Sequence, residues 1–186
     1  TAIGNAGSGL ITLSATGVDT EYNFNGNVTF KGGSGVKFSA ADPSIDTDGE
    51  ASSIDFETGI TLADSADIGI TTEDGTITLS TIAGTDENAT TAVTINSGSA
   101  NTNLEGALST DLGAVTITST GTIFIGDDIT TNAGAIDISG AVQLMTNNID
   151  ISTGTGAGAV TFDSTIDNKS SETARNLTIA SGTGDV

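Results

Sequence analysis

The sequence contains no cysteine and no histidine, and only four cations among its 186 residues. Without cysteine there is neither a disulfide scaffold nor a thiolate metal site. Without histidine there is no Ser-His-Asp or Cys-His machinery and no imidazole ligand. Lys31, Lys37, Lys169 and Arg175 face 24 carboxylates, for a formal net charge of −20. That balance argues against nucleic acid or an anionic membrane surface as partner, because both require a cationic footprint. No apolar run approaches the ~18 residues of a membrane span. Helical periodicity is missing as well: Ala63 to Ile70, for example, lacks the i, i+3, i+4 spacing of an amphipathic helix.

What the chain does have is one short word, written repeatedly. TAVTI at 91–95 returns as GAVTI at 113–117, GAIDI at 134–138 and GAVTF at 158–162, with NVTF, GTITL, NIDI and NLTI between them. Alternating β-branched residues mark pleated strands with one buried face, which separates this chain from disordered Gly/Ser/Thr-rich sequence. The inward pairs are Ile11/Leu13, Val28/Phe30, Val36/Phe38, Ile54/Phe56, Ile60/Leu62, Ile68/Ile70, Ile77/Leu79 and Val93/Ile95 in the first half. In the second they are Val115/Ile117, Ile123/Ile125, Ile136/Ile138, Val142/Leu144, Ile149/Ile151, Val160/Phe162 and Leu177/Ile179. Gly, Asn, Asp, Ser and Thr, the turn formers, bound each of them.

Strands this short and this close together do not build an ordinary sandwich. Taken three at a time they repeat about every 20 residues, the signature of a parallel β-helix in which each coil seals the core of the previous one. The expected fold is therefore all-β, a right-handed parallel β-helix of about 20 residues per coil and eight or nine coils, with a β-sandwich as the alternative. Residues 1–186 read as a single solenoid segment, with irregular protruding loops near 39–53 and 80–92. Asn25-Gly26, between Tyr22/Phe24 and Val28/Phe30, reads as a tight corner between coils, with a small antiparallel hairpin as the competing reading. The chain opens on Thr1 and closes on SGTGDV, as another repeat would begin, so a processed chain or a piece of a longer array is expected.

The stretch from GAVTI to the C-terminus, residues 113–186, resembles the degenerate repeats of very large bacterial exoproteins, the filamentous-haemagglutinin-like and β-strand-repeat adhesins; the earlier part resembles them loosely. The resemblance implies a secreted or cell-surface parallel β-helix that forms stalks, fibres or adhesive matrix. It implies continuing repeats or end-to-end self-association, and a glycan or cell-surface receptor as partner.

Candidate sites are few. DPSIDTDGE at 42–50 places Asp42, Ser44, Asp46, Asp48 and Glu50 at alternate positions around an Asp-Gly turn. Counted from Ser44, Gly49 is sixth and Asp55 twelfth, an imperfect EF-hand-like loop that makes Asp42, Asp46, Asp48, Glu50 and Asp55 the candidate calcium ligands. The competing reading is a solvated acidic loop. GGSGVKFS at 32–39 fails as a calcium β-roll nonapeptide because Lys37 occupies the position that must be Asp. Asp127 and Asp128 offer two carboxylates for glycosidase chemistry, but adjacent residues seldom face one cleft. Sequons at Asn27, Asn88, Asn168 and Asn176 are about as many as chance gives in a chain so rich in Asn, Ser and Thr. Outward threonines, among them Thr94, Thr116 and Thr161, form a possible ice- or glycan-binding ladder or simply soluble strands. The expectation is an extracellular structural or adhesive protein without enzymatic activity and with no cofactor other than calcium. A filament or sheath subunit is the alternative, and a glycan-active enzyme the remote one.

Overall fold

The computed structural model describes residues 1–4, 9–14, 20–39, 42–48, 51–85, 90–109, 111–169 and 173–186. Among these there is no helix, and all the strand pairings are parallel. The chain winds about seven times around a three-sided prism, a parallel β-helix. Parallel pairing throughout disposes of the sandwich.

Face one carries Glu21–Asn25, Ser44–Asp48, Ile68–Thr72, Thr91–Asn96, the first halves of Leu112–Ile125 and Ile136–Leu144, and Val160–Phe162. Face two carries Ala2–Ile3, Val28–Phe30, Ile54–Phe56, Ile77–Leu79, Thr102–Leu104, the second halves of the two long strands, and Ile166–Asn168. Face three runs from Ile11–Leu13 through Val36–Phe38, Ile60–Leu62, Ile82–Gly84, Leu108–Ser109, Ile129–Thr130 and Ile149–Ser152 to Leu177–Ala180. The two long strands turn the corner from face one to face two with a register shift between Thr118 and Thr122, which joins those faces into one sheet.

Alternation dictates the core. Ile45, Ile70, Ile95, Ile117 and Ile138 are successive register partners on face one, and all are fully buried. Val36, Ile60, Ile82, Leu108, Ile129 and Ile151 make the corresponding column on face three. Each such side chain contributes about 1.5–3 kcal/mol on burial, and a strand that cannot hold itself gains that only from its neighbours above and below. At ~4.8 Å per winding the rod is about 34 Å long.

Three expectations change. The register distance ranges from 19 residues, Ile125 to Leu144, to 28, Ile151 to Ile179, so windings are longer than 20 residues and there are fewer of them. The segment 39–53 holds a full strand, Ser44–Asp48, with Ile45 and Thr47 buried, and the segment 80–92 holds Ile82–Gly84 and the start of Thr91–Asn96. Single Asp and Thr residues in those strands disguised an inward pair as loop sequence. Asn25-Gly26 is a corner: Gly26 has φ 101°, and the strands on either side of it lie on different faces.

Candidate functional site

Strand geometry decides the fate of the candidate calcium ligands. Asp42, exposed and with φ 49°, precedes the buried Pro43 at the entry to face one. Asp46 and Asp48 both lie on the outer side of Ser44–Asp48, next to Asn23 and Asn25 of the previous winding. Asp55 lies on face two, between Thr29 and Thr78, so the structure brings Asp46 and Asp48 to one edge and sends Asp55 to another. Glu50 lies outside the described residues. Among the described residues no group of three or more acidic side chains is placed to hold one metal ion.

Asp55 instead belongs to an electrostatic cluster on face two. Its carboxyl is pushed above the ordinary range by partial burial first and by Glu57 and Glu105 next, with Lys31 opposing. Lys31 is ion-paired to Glu57. Asp74 is shifted the other way: Ser99 of the next winding donates to it through side chain and backbone, the backbone N to Asp74 Oδ1 at 2.9 Å, and holds its carboxyl below the ordinary range. Asp128 likewise accepts the Asp150 backbone N–H at 2.8 Å, and Asp67 accepts that of Ala92 at 2.6 Å. Asp127 accepts the N–H of Asp128 at 2.9 Å, so the Asp127–Asp128 pair serves the corner and the next winding. These carboxylates tie one coil to the next.

Sequence reasoning missed the inward hydroxyls. At the corner between faces one and two, Thr47 Oγ1 donates to Ser52 O at 2.9 Å, Thr72 Oγ1 to Gly75 O at 2.5 Å, and Ser97 Oγ to Ala100 O at 2.9 Å. Ser119 Oγ joins them by donating to Ala100 O at 2.7 Å. Between faces three and one, Thr131, Thr153 and Ser181 repeat the device toward Gly134, Gly158 and Gly184 at 2.6, 2.9 and 2.7 Å. Each hydroxyl satisfies a turn carbonyl that burial would otherwise strand. The available signal was a Thr or Ser at the inward position that ends a strand, as in SIDTD and IGITT.

The outer surface offers little enclosure. A shallow hollow of about 350 Å³ at the corner of faces one and two is lined by hydroxyls and one carboxylate, Asp163, which accepts from Ser139 Oγ at 3.1 Å. A second, of about 240 Å³, lies over Lys31 and Glu57. The threonine ladder is real but broken: Thr94 and Thr116 are register partners, then Asp137 intervenes before Thr161, while Asp55 separates Thr29 from Thr78 and Lys37 separates Thr12 from Thr61. Phe124 is the large outward aromatic of face two, and Lys169 sits over its ring at 4.9 Å from the centroid.

No family model, no curated protein and no solved structure matches the chain.

Proposed function

We propose that this chain is a rod segment of an extracellular structural or adhesive protein, a stalk or fibre piece without enzymatic activity. The observation that supports the reading is the unbroken parallel ladder of about seven windings, in which inter-coil backbone bonds lie along the rod axis and the side-chain bonds of Asp67, Asp74 and Asp128 reinforce them. Pulling on the ends of such a rod loads many backbone bonds in series with a continuous core, and the acidic sheath keeps neighbouring rods apart. Corners and the outward side chains of face one present contacts to a glycan or surface receptor. Protease shaving and antibody labelling of intact cells of the source organism test the location: release of peptides from this chain without lysis is expected. Recovery of the chain only after lysis would refute the reading.

A further inference from the structure

Every winding shields the interior of the one before it, and at the two ends of the rod nothing does. Inward side chains that are fully buried in the middle are part-exposed there: Ile11, Leu13 and Tyr22 at one end, Phe162, Leu177 and Ile179 at the other. A hollow of about 330 Å³ beside Val160 and Phe162 opens on that second end. Backbone groups are free at both ends too, since Ala2–Ile3, Ile11–Leu13 and Glu21–Asn25 pair on one side only, as do Ile166–Asn168 and Leu177–Ala180. Unpaired parallel edges of this kind recruit further strands.

Charge is distributed in the opposite sense. Residues 38–168 contain 20 carboxylates and no cation. Residues 1–37 hold Asp19 and Glu21 against Lys31 and Lys37, and residues 169–186 hold Glu172 and Asp185 against Lys169 and Arg175. The whole net charge of −20 therefore belongs to the barrel, and the side chains of each end sum to zero. Side-by-side approach sets one acidic barrel against another, whereas end-on approach joins two neutral apolar surfaces whose strands run in the same direction.

We propose that the ends are a binding surface for a second copy of this chain, stacked head to tail so that Leu177–Ala180 of one copy pairs with Ile11–Leu13 of the next and the three faces stay aligned. Head to tail is the only stacking of two copies that keeps the strands parallel across the junction. A ring of some two dozen residues at ~3.3 Å each closes on the order of 1,000 Å² in total, near the lower limit for a specific interface. Association is therefore weak at low salt, where the two barrels still repel along the axis, and strengthens as salt screens them. The inference concerns the ends alone and does not depend on where the chain acts.

Sedimentation velocity with small-angle X-ray scattering on the 186-residue chain tests it, at rising protein concentration and at low and high salt. The expected result is a mass that grows with concentration, more steeply at high salt, while the particle lengthens at constant cross-section. Ile11→Lys and Ile179→Lys, one at each end, should each leave a monomer, and their mixture should give dimers that grow no further, because one intact head meets one intact tail. A wild-type chain monomeric at every concentration and salt would overturn the proposal, and so would growth by widening of the cross-section.

Discussion

The early and late windings solve one packing problem with different side chains. Around residues 21–62 the interior is aromatic: Phe30 stacks on Phe56 with centroids 4.2 Å apart and planes within 3°, Phe38 meets Phe56 edge-on at 6.4 Å, and Tyr22 meets Phe38 at 6.2 Å. Between 91 and 153 the interior is aliphatic, built on Ile95, Ile117, Ile123, Ile125, Ile136 and Ile138. Winding length follows the same division. Phe30 to Phe56 spans 26 residues, whereas Leu104 to Ile125 spans 21 and Ile125 to Leu144 spans 19. Interiors are packed without voids, so a longer ring needs larger side chains to fill it and a shorter ring is closed by isoleucine. The strand repeat is shared; the volume enclosed is not.

The harshest way to break the late windings is at their corners. Gly113, Gly134, Gly158 and Gly184 stack in one column, and a Cβ on Gly134 would fall on the Gly113 carbonyl oxygen. Gly134→Val should cost more than ~4 kcal/mol and abolish the cooperative thermal transition, because backbone must move to admit it. Gly69→Ala, whose Cβ would meet only Ser44 Cβ at 3.7 Å, should change stability by no more than about 0.5 kcal/mol. Equal effects of the two would remove the reason for the glycine column.

The two kinds of core are separated by truncation. Phe56→Ala should cost about 3–5 kcal/mol in urea titrations, and Ile117→Ala about 2–5, with the larger residual cavity in the aromatic windings. If Ile123→Phe were accepted in the late windings without loss, the match between ring size and side-chain size would be wrong, since overpacking costs typically 1–3 kcal/mol. Smaller again is the corner hydroxyl: Ser97→Ala leaves Thr102 Oγ1, which donates to Ser97 Oγ at 2.9 Å, without its acceptor, at a cost of about 1–3 kcal/mol.

Proton linkage gives the smallest effect, with opposite signs at two carboxylates. Asp55 keeps its proton to higher pH in the folded rod than in the unfolded chain, because of burial and then Glu57 and Glu105. Between the ordinary carboxylate value and that raised one the folded state binds more protons, so this position loses stability as pH rises. Asp55→Asn should flatten that fall. Asp74, held below the ordinary value by Ser99, contributes stability that is present above the unfolded value and is lost as pH falls through the folded one. Asp74→Asn should flatten the acid end of the curve, read by denaturation across the acid range.

Much of the fold was legible because it is written in side chains of period two. Val115/Ile117 and Ile136/Ile138 face inward where alternation puts them, and their stacking follows from strands too short to stand alone. Ser44–Asp48 was hidden because one inward position is Thr47, whose hydroxyl is satisfied only by a carbonyl five residues on. Turn-rich composition cannot distinguish a corner with a buried hydroxyl from a solvated loop. The calcium reading depended on chain order, and extended backbone turned Asp55 onto another face, where its neighbours Glu57 and Glu105 come from face-two windings that no local spacing relates. The tie of Asp74 to Ser99 joins residues 25 apart and is equally invisible until the winding length is known.

Backbone nuclear Overhauser contacts across face one test the parallel stack most directly. The structure predicts that Thr94, Thr116 and Asp137 are successive neighbours, and that moving two residues forward moves every partner forward as well, Asn96 to Thr118 to Ser139. Contacts in which partners run backward as the chain runs forward would mean antiparallel strands and would contradict the β-helix.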